Sequence, residues 1–194
     1  MIKQSHNSIS IVITALIVLI FSQCNSIKRS FDSPPSPNSI NDDEKCYDNG
    51  KLTTSQRLQI FPFNQAESIR VVSFNSNLGK APIENDTIVH SQTIENILLT
   101  TSQIDGLTNI LFNYNYSDKT TSFNESQVGC YFPRHAIIFL NKTEKVISFI
   151  EICLECKKTV TTLPPENVGK FCDGKYELIY NFFQSIGIEH YKDE

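Results

Sequence analysis

The sequence predicts an α+β domain with a mostly antiparallel sheet and helices on one face of that sheet. Three observations support this class: several segments rich in β-branched residues, a central hairpin at about residues 130–156, and two segments of helical apolar periodicity at about 102–113 and 174–186. Strands and helices do not alternate regularly, so a parallel βαβ sheet is not expected. We assign residues 46–194 to this single domain, a length typical of one hydrophobic core.

Three strands are predicted before the hairpin, at residues 67–75, 87–91 and 93–100, because each segment has the composition of a strand and ends near turn-forming residues. A helix is then predicted to begin at Ser102 as its N-cap, with Asp105 three residues later. The helical apolar stripe that follows consists of Ile104, Leu107, Ile110 and Leu111.

The last helix is predicted to begin at Asp173-Gly174 and to stop at Gly187, a residue that favours a helix C-terminus. Its apolar face is formed by Leu178, Ile179, Phe182, Phe183 and Ile186.

The hairpin predicts a specific pairing of residues across its two strands. If Leu140 pairs with Val146, then Cys130 faces Cys156 across the two arms, and a slip of one residue would break that facing.

The same register places His135 opposite Glu151, with Cys153 diagonal to His135. It also divides the apolar side chains between two faces, which predicts central strands covered on both sides. One face would hold Phe132, Ala136, Ile138, Leu140, Val146, Ile150, Ile152 and Leu154, and the other would hold Ile137, Phe139, Ile147 and Phe149.

Residues 1–24 have the layout of an export signal. Lys3 precedes an apolar run at 11–21, which is shorter than the about 20 apolar residues of a membrane-spanning helix. The run ends in Phe21-Ser22-Gln23-Cys24, which resembles a bacterial lipoprotein signal. That resemblance implies a signal peptide at 1–23, lipidation of Cys24, and a membrane anchor in the bacterial cell envelope, at the outer membrane.

Residues 24–45 are predicted to be the lipidated cysteine followed by a disordered tether, because proline and polar residues dominate and few side chains could be buried. A secreted eukaryotic protein is the alternative address. It is suggested by four matches to the N-glycosylation pattern, at Asn85, Asn115, Asn124 and Asn141.

The composition limits the partners. The net charge is −4 and no basic face is evident, so nucleic acid is not expected as a partner. We expect a membrane contact through the lipid anchor, and an unknown envelope protein or small ligand. Of the six cysteines, five remain after lipidation, and an exported protein is expected to pair them in disulfides with one left over.

The domain also resembles a group of small uncharacterised exported proteins of Bacteroidetes-type bacteria, over roughly residues 65–190. The residues that carry the resemblance are Ser102-Gln103-Ile104-Asp105, Ile110-Leu111-Phe112-Asn113-Tyr114, Cys130-Tyr131, Pro133–Phe139, Ile150–Cys156 and Cys172–Tyr176. It implies one folding unit in a bacterial envelope and no particular activity.

The cysteines of the domain could have either of two roles. In the first they form a scaffold, with one disulfide between Cys130 and Cys156 and another between Cys153 and Cys172. In the second, Cys153, Cys156 and Cys172 bind zinc or copper together with His135, a Cys₃His ligand set that suits either metal. A thioredoxin-like role is disfavoured because Cys153-Leu154-Glu155-Cys156 ends a strand instead of opening a helix.

Cys153, His135 and Glu151 could act as a nucleophile, a base and an orienting group, respectively. A salt-bridged histidine beside a disulfide is the favoured interpretation. Arg134 is expected to be a surface residue or to pair with a carboxylate. The sequence therefore favours a non-enzymatic, disulfide-stabilised binding or assembly module without a cofactor. The alternative is a thiol-dependent or metal-binding protein.

Overall fold

A five-stranded antiparallel sheet organises the fold. The structure is a computed structural model, which describes residues 47–48, 50–115, 131–164 and 172–192. The strands of the sheet are β2 (Ser68–Phe74), β5 (Thr93–Leu98), β7 (His135–Leu140), β8 (Val146–Cys153) and β9 (Lys158–Thr161), and their spatial order is β5-β2-β7-β8-β9. Two short antiparallel pairs join β1 (Tyr47–Asp48) to β6 (Tyr114–Asn115), and β3 (Ile83–Glu84) to β4 (Thr87–Ile88).

Three helices complete the described part of the chain: α1 (Thr54–Leu58), α2 (Thr101–Asn113) and α3 (Asp173–Ser185). The predicted α+β class with a mostly antiparallel sheet is therefore confirmed. The two long helices lie within one or two residues of their predicted bounds, whereas α1 was not predicted.

The start of α2 differs from the prediction because a capping box forms two residues earlier. The Gln103 N–H donates to the Thr100 hydroxyl at 3.3 Å, and the Gln103 side-chain oxygen accepts from the Thr100 N–H at 2.8 Å. These reciprocal bonds satisfy two backbone donors that would otherwise lack partners, so Thr100 replaces Ser102 as the N-cap.

The sheet is covered on both faces, as the apolar hairpin predicted. We call the side that contacts α2 and α3 the helix face; its core includes Val71, Leu107, Leu111, Ile137, Phe139, Ile150, Ile152, Ile179 and Phe183. The other side, which we call the hairpin face, packs against the segment around β3 and β4. Its core includes Val72, Phe74, Ala81, Ile88, Ala136, Ile138 and Leu140.

The predicted register between β7 and β8 is wrong by one residue over most of its length. Leu140 pairs with Val146 as predicted, but an irregularity between Phe139 and Leu140 shifts every later pair, so that Phe139 pairs with Ser148. A bulge adds a residue to one strand, and because side chains alternate, that residue moves the following side chains to the other face.

The consequence is a corrected division of faces. Ile150 and Ile152 lie with Ile137 and Phe139 on the helix face, not with Ala136 and Ile138 as predicted.

The remaining strands are shorter than predicted, and β9 is additional. The segment predicted at 87–91 contains only β4, because residues His90–Gln92 form a 3₁₀ turn that leads into β5. The strand β9 follows β8 after a tight turn and pairs with it antiparallel. Residues 1–46 and 130 lie outside the described residues, so the signal peptide, Cys24, the tether and the position of Cys130 stay predictions.

Candidate functional site

The turn between β8 and β9 contains a disulfide. Cys153 is the last residue of β8 and bonds to Cys156, with a Cα–Cα distance of 5.4 Å. The Cys156 N–H donates to the Cys153 sulfur at 3.3 Å. Both residues are buried, with exposed fractions of 2% and 9%. Burial keeps small thiol reagents away from the sulfurs, which is typical of a structural disulfide.

The predicted disulfide pairs are wrong. Because Cys153 and Cys156 bond to each other, neither can pair with Cys172 or Cys130. Cys172, the N-cap residue of α3, is also disulfide-bonded, and its partner lies outside the described residues. The register shift and the tight turn explain the error, since the turn brings Cys156 back towards Cys153 instead of extending β8.

Replacing both Cys153 and Cys156 by serine should lower the free energy of unfolding by about 2 kcal/mol, because the loop that their bond closes is very short. The variant Cys172→Ser should lose more, about 4 kcal/mol, since every cysteine that remains as its partner is far away in the sequence. Urea denaturation under non-reducing conditions measures both changes. A larger loss from the double serine variant would contradict the assignment.

The predicted pairing of His135 with Glu151 does not form. His135 lies opposite Ile152, and Glu151 lies opposite Ala136. The bulge places the imidazole on the helix face and the carboxylate on the hairpin face, so the proposed set of Cys153, His135 and Glu151 is not assembled.

Glu151 instead holds the hairpin face together. It is 3% exposed and accepts hydrogen bonds from the Tyr131 hydroxyl at 2.8 Å and from the Ala81 N–H. Burial and the Glu151 carboxylate raise the pKa of Tyr131 well above its usual range, so Tyr131 stays a donor to Glu151. This buried carboxylate therefore has a structural role with its acceptors engaged.

His135 contacts the segment that follows α3. Its Nε2 lies 2.8 Å from the His190 carbonyl oxygen, and its ring lies 5.3 Å from the ring of Phe183 and 5.2 Å from that of Tyr191. Glu95 of β5 holds this segment by accepting from the backbone N–H groups of residues 189 and 190, at 2.7 and 3.3 Å.

The protonation state of His135 follows from these contacts. Burial lowers the pKa of His135 to about 4, so the imidazole is neutral at pH 7. A carbonyl oxygen can only accept, so the proton must be on Nε2, and Nδ1 carries a lone pair.

A small cleft of about 20 Å³ lies beside His135. The side chains that line it include Phe132, Arg134, His135, Glu155, Tyr180 and Tyr191. Arg134 pairs with Glu155 at 3.2 Å, which confirms the expected carboxylate partner. Tyr180 and Tyr191 belong to no sequence motif and come from α3 and the segment after it, so no local pattern predicted their place in the cleft.

Three buried polar atoms of this cleft lack hydrogen-bond partners within the described residues, and one of them is the Nε of Arg134, whose guanidinium also pairs with Glu155. The other two are the Nδ1 of His135 and the hydroxyl of Tyr191. A buried polar group without a partner destabilises a fold by about 1–3 kcal/mol, so such atoms are rare and need an explanation.

A larger groove of about 230 Å³ lies near Arg70, His90 and Lys145. Two of its polar side chains already have partners: the Lys145 ammonium donates to Thr87 in the groove at 2.8 Å, and Arg70 donates to Asn96 at 2.9 Å. This groove therefore has less unused hydrogen-bonding capacity than the cleft beside His135.

The predicted zinc or copper ligands are not brought together, because the three cysteines of that set are in disulfides. Within the described ranges, no group of three or more His, Cys, Asp or Glu side chains is arranged to hold a metal ion. The described helices are all too short or too polar to cross a bilayer. Comparisons of the chain with protein-family models, curated protein sequences and solved structures found no match.

Proposed function

We propose that the chain is a disulfide-stabilised binding module, anchored to the bacterial cell envelope through lipidated Cys24. The observation that carries the binding role is the cleft beside His135, in which Nδ1 of His135 and the hydroxyl of Tyr191 lack partners. A ligand that supplies those partners would recover hydrogen bonds that the free protein does not make.

The contrast with other buried polar groups supports this choice. Arg57 is 5% exposed, and its guanidinium donates to the Leu52 carbonyl at 2.7 Å, to Thr108 at 3.2 Å and to Asp105. The buried Glu151 carboxylate likewise has partners, since it accepts from the Tyr131 hydroxyl and the Ala81 N–H. The unused hydrogen-bonding capacity is concentrated at the cleft, where a ligand can reach it.

The envelope address rests on the signal-like residues 1–24 and on the disulfides. A buried bond between Cys153 and Cys156 and a bonded Cys172 suit an oxidising compartment outside the cytoplasm. The thiol-dependent and metal-binding alternatives are not favoured, because both require reduced cysteines.

Expression in a bacterium tests the anchor. The full chain should accumulate in the outer-membrane fraction and incorporate labelled palmitate, whereas Cys24→Ala should lose the label and the membrane association. The control is Cys46→Ala, which removes the next cysteine and should keep both. Unlabelled wild-type protein in the medium or in the soluble fraction would favour the secreted alternative and contradict the lipid anchor.

A further inference from the structure

The cleft beside His135 specifies the chemistry of its ligand. The Nδ1 of His135 is an acceptor, because Nε2 donates to the His190 carbonyl at 2.8 Å. The ligand must therefore present a donor to this nitrogen. A carboxylate or a phosphate dianion has no proton to donate and does not fit.

Tyr191 adds a second requirement. Burial raises the pKa of Tyr191 well above its usual value, so the phenol keeps its proton and can donate to a ligand oxygen. A group that satisfies both residues accepts from Tyr191 and donates to His135. An ammonium group cannot accept, whereas an alcohol hydroxyl can do both.

The charge of the cleft favours a neutral ligand. Arg134 and Glu155 lie on the same wall, 3.2 Å apart, so their charges compensate each other. A charged ligand would have to compete with one of these two side chains for the other, but a hydroxyl need not.

Size and shape limit how much of the ligand enters. A volume of about 20 Å³ exceeds what one water-sized group needs but is far below that of a ring. Phe132, which is 46% exposed, and Tyr180 line the same cleft and offer aromatic surface to the rest of the ligand. The C–H faces of a sugar ring suit such a surface while one hydroxyl is inserted.

We propose that this cleft binds a neutral saccharide, with one sugar hydroxyl placed between the Nδ1 of His135 and the hydroxyl of Tyr191. This inference rests on the proposed binding function and names its ligand class. The saccharide ring lies outside the narrow part of the cleft, against Phe132.

Nuclear magnetic resonance of the full chain with ¹⁵N-labelled histidine tests the proposal. Cellotriose, maltotriose and chitotriose are the probes, and at least one should shift the Nδ1 resonance of His135 in a saturable way. Tyr191→Phe should weaken that binding about tenfold, as expected when a buried partner loses its hydrogen bond. Tyr114→Phe is the matched control, because Tyr114 lies in β6 and does not line the cleft, and it should bind normally.

The wild-type titration decides the matter even if a variant fails to fold. A Nδ1 resonance that none of the three saccharides shifts overturns the ligand class, as does an equal weakening in the two tyrosine variants. N-acetylserinamide carries a hydroxyl but is not a saccharide, so it tests the binding function of the cleft separately from the ligand class. A shift caused by this serine derivative and by no saccharide leaves the binding function in place, whereas no shift from any probe overturns the binding function of the cleft as well.

Discussion

The protein should lose up to about 3 kcal/mol of unfolding free energy through His135 as the pH falls from about 6.5 to about 4. Burial of the imidazole holds its folded-state pKa below that of the unfolded chain. In this pH range the unfolded state binds more protons than the folded state, so protonation favours unfolding. The stabilisation is complete above the unfolded pKa and is lost as the pH approaches the folded one.

Urea denaturation of the wild type and of His135→Gln at a series of pH values measures this loss. Glutamine keeps a donor for the His190 carbonyl but does not titrate, so the acid-induced loss should be smaller in the variant by the contribution of His135. His90→Gln, at an exposed histidine, is the matched control and should keep the full acid sensitivity. Identical slopes for the wild type and His135→Gln would contradict the assignment of this titration to His135.

The same titration bears on ligand binding. A second proton on His135 would occupy Nδ1 and convert the acceptor into a donor. Binding of a group that donates to Nδ1 should therefore weaken towards pH 4, in parallel with stability.

Local sequence patterns were sufficient to predict the two long helices, α2 and α3. The apolar stripes of α2 and α3 and the stop at Gly187 depend on residues three or four positions apart, and their bounds were predicted to within one or two residues. The short helix α1 was missed because five residues contain too little periodicity to be recognised.

The hairpin shows where local signals fail. The turn-proximal pair Leu140–Val146 was predicted correctly, but the irregularity beside Phe139 was not. A bulge depends on how the whole sheet packs, and a single one was enough to separate His135 from Glu151 and to exchange their faces. The predicted Cys130–Cys156 pair relied on an extended strand through Cys156. The predicted Cys153–Cys172 pair failed with it, because Cys153 bonds to Cys156.

The candidate site was only partly predictable. His135 was predicted from the sequence as a candidate site residue, whereas Arg134 was expected only to be a surface or carboxylate-pairing residue. Tyr191 joins them through tertiary packing, because Glu95 of β5 holds the segment that carries it. The unpartnered atoms of the cleft are properties of packing, which no spacing in the sequence encodes.

A buried lysine should extend the loss of stability with falling pH into the alkaline range, in the same direction as His135. Lys175 of α3 is fully buried, and its Nζ donates to the Leu111 carbonyl near the end of α2 at 2.8 Å. A cation at this end of a helix is favoured by the helix dipole and by the unsatisfied carbonyl groups. Desolvation outweighs these gains, because burial lowers the pKa of Lys175 from 10.5 to about 7.

Stability should therefore rise with pH through Lys175 by up to about 5 kcal/mol, between about pH 7 and pH 10.5. Over this range the unfolded lysine is protonated and the folded one is not, so removing protons favours the folded state. The variant Lys175→Met should show a flatter dependence of unfolding free energy on pH, whereas the exposed Lys142→Met should keep the wild-type slope. If Lys175→Met retained that slope, Lys175 would have to stay charged in the folded core up to its ordinary pKa. The hydrogen bond from its Nζ to the Leu111 carbonyl would then come from an ammonium group instead of a neutral amine.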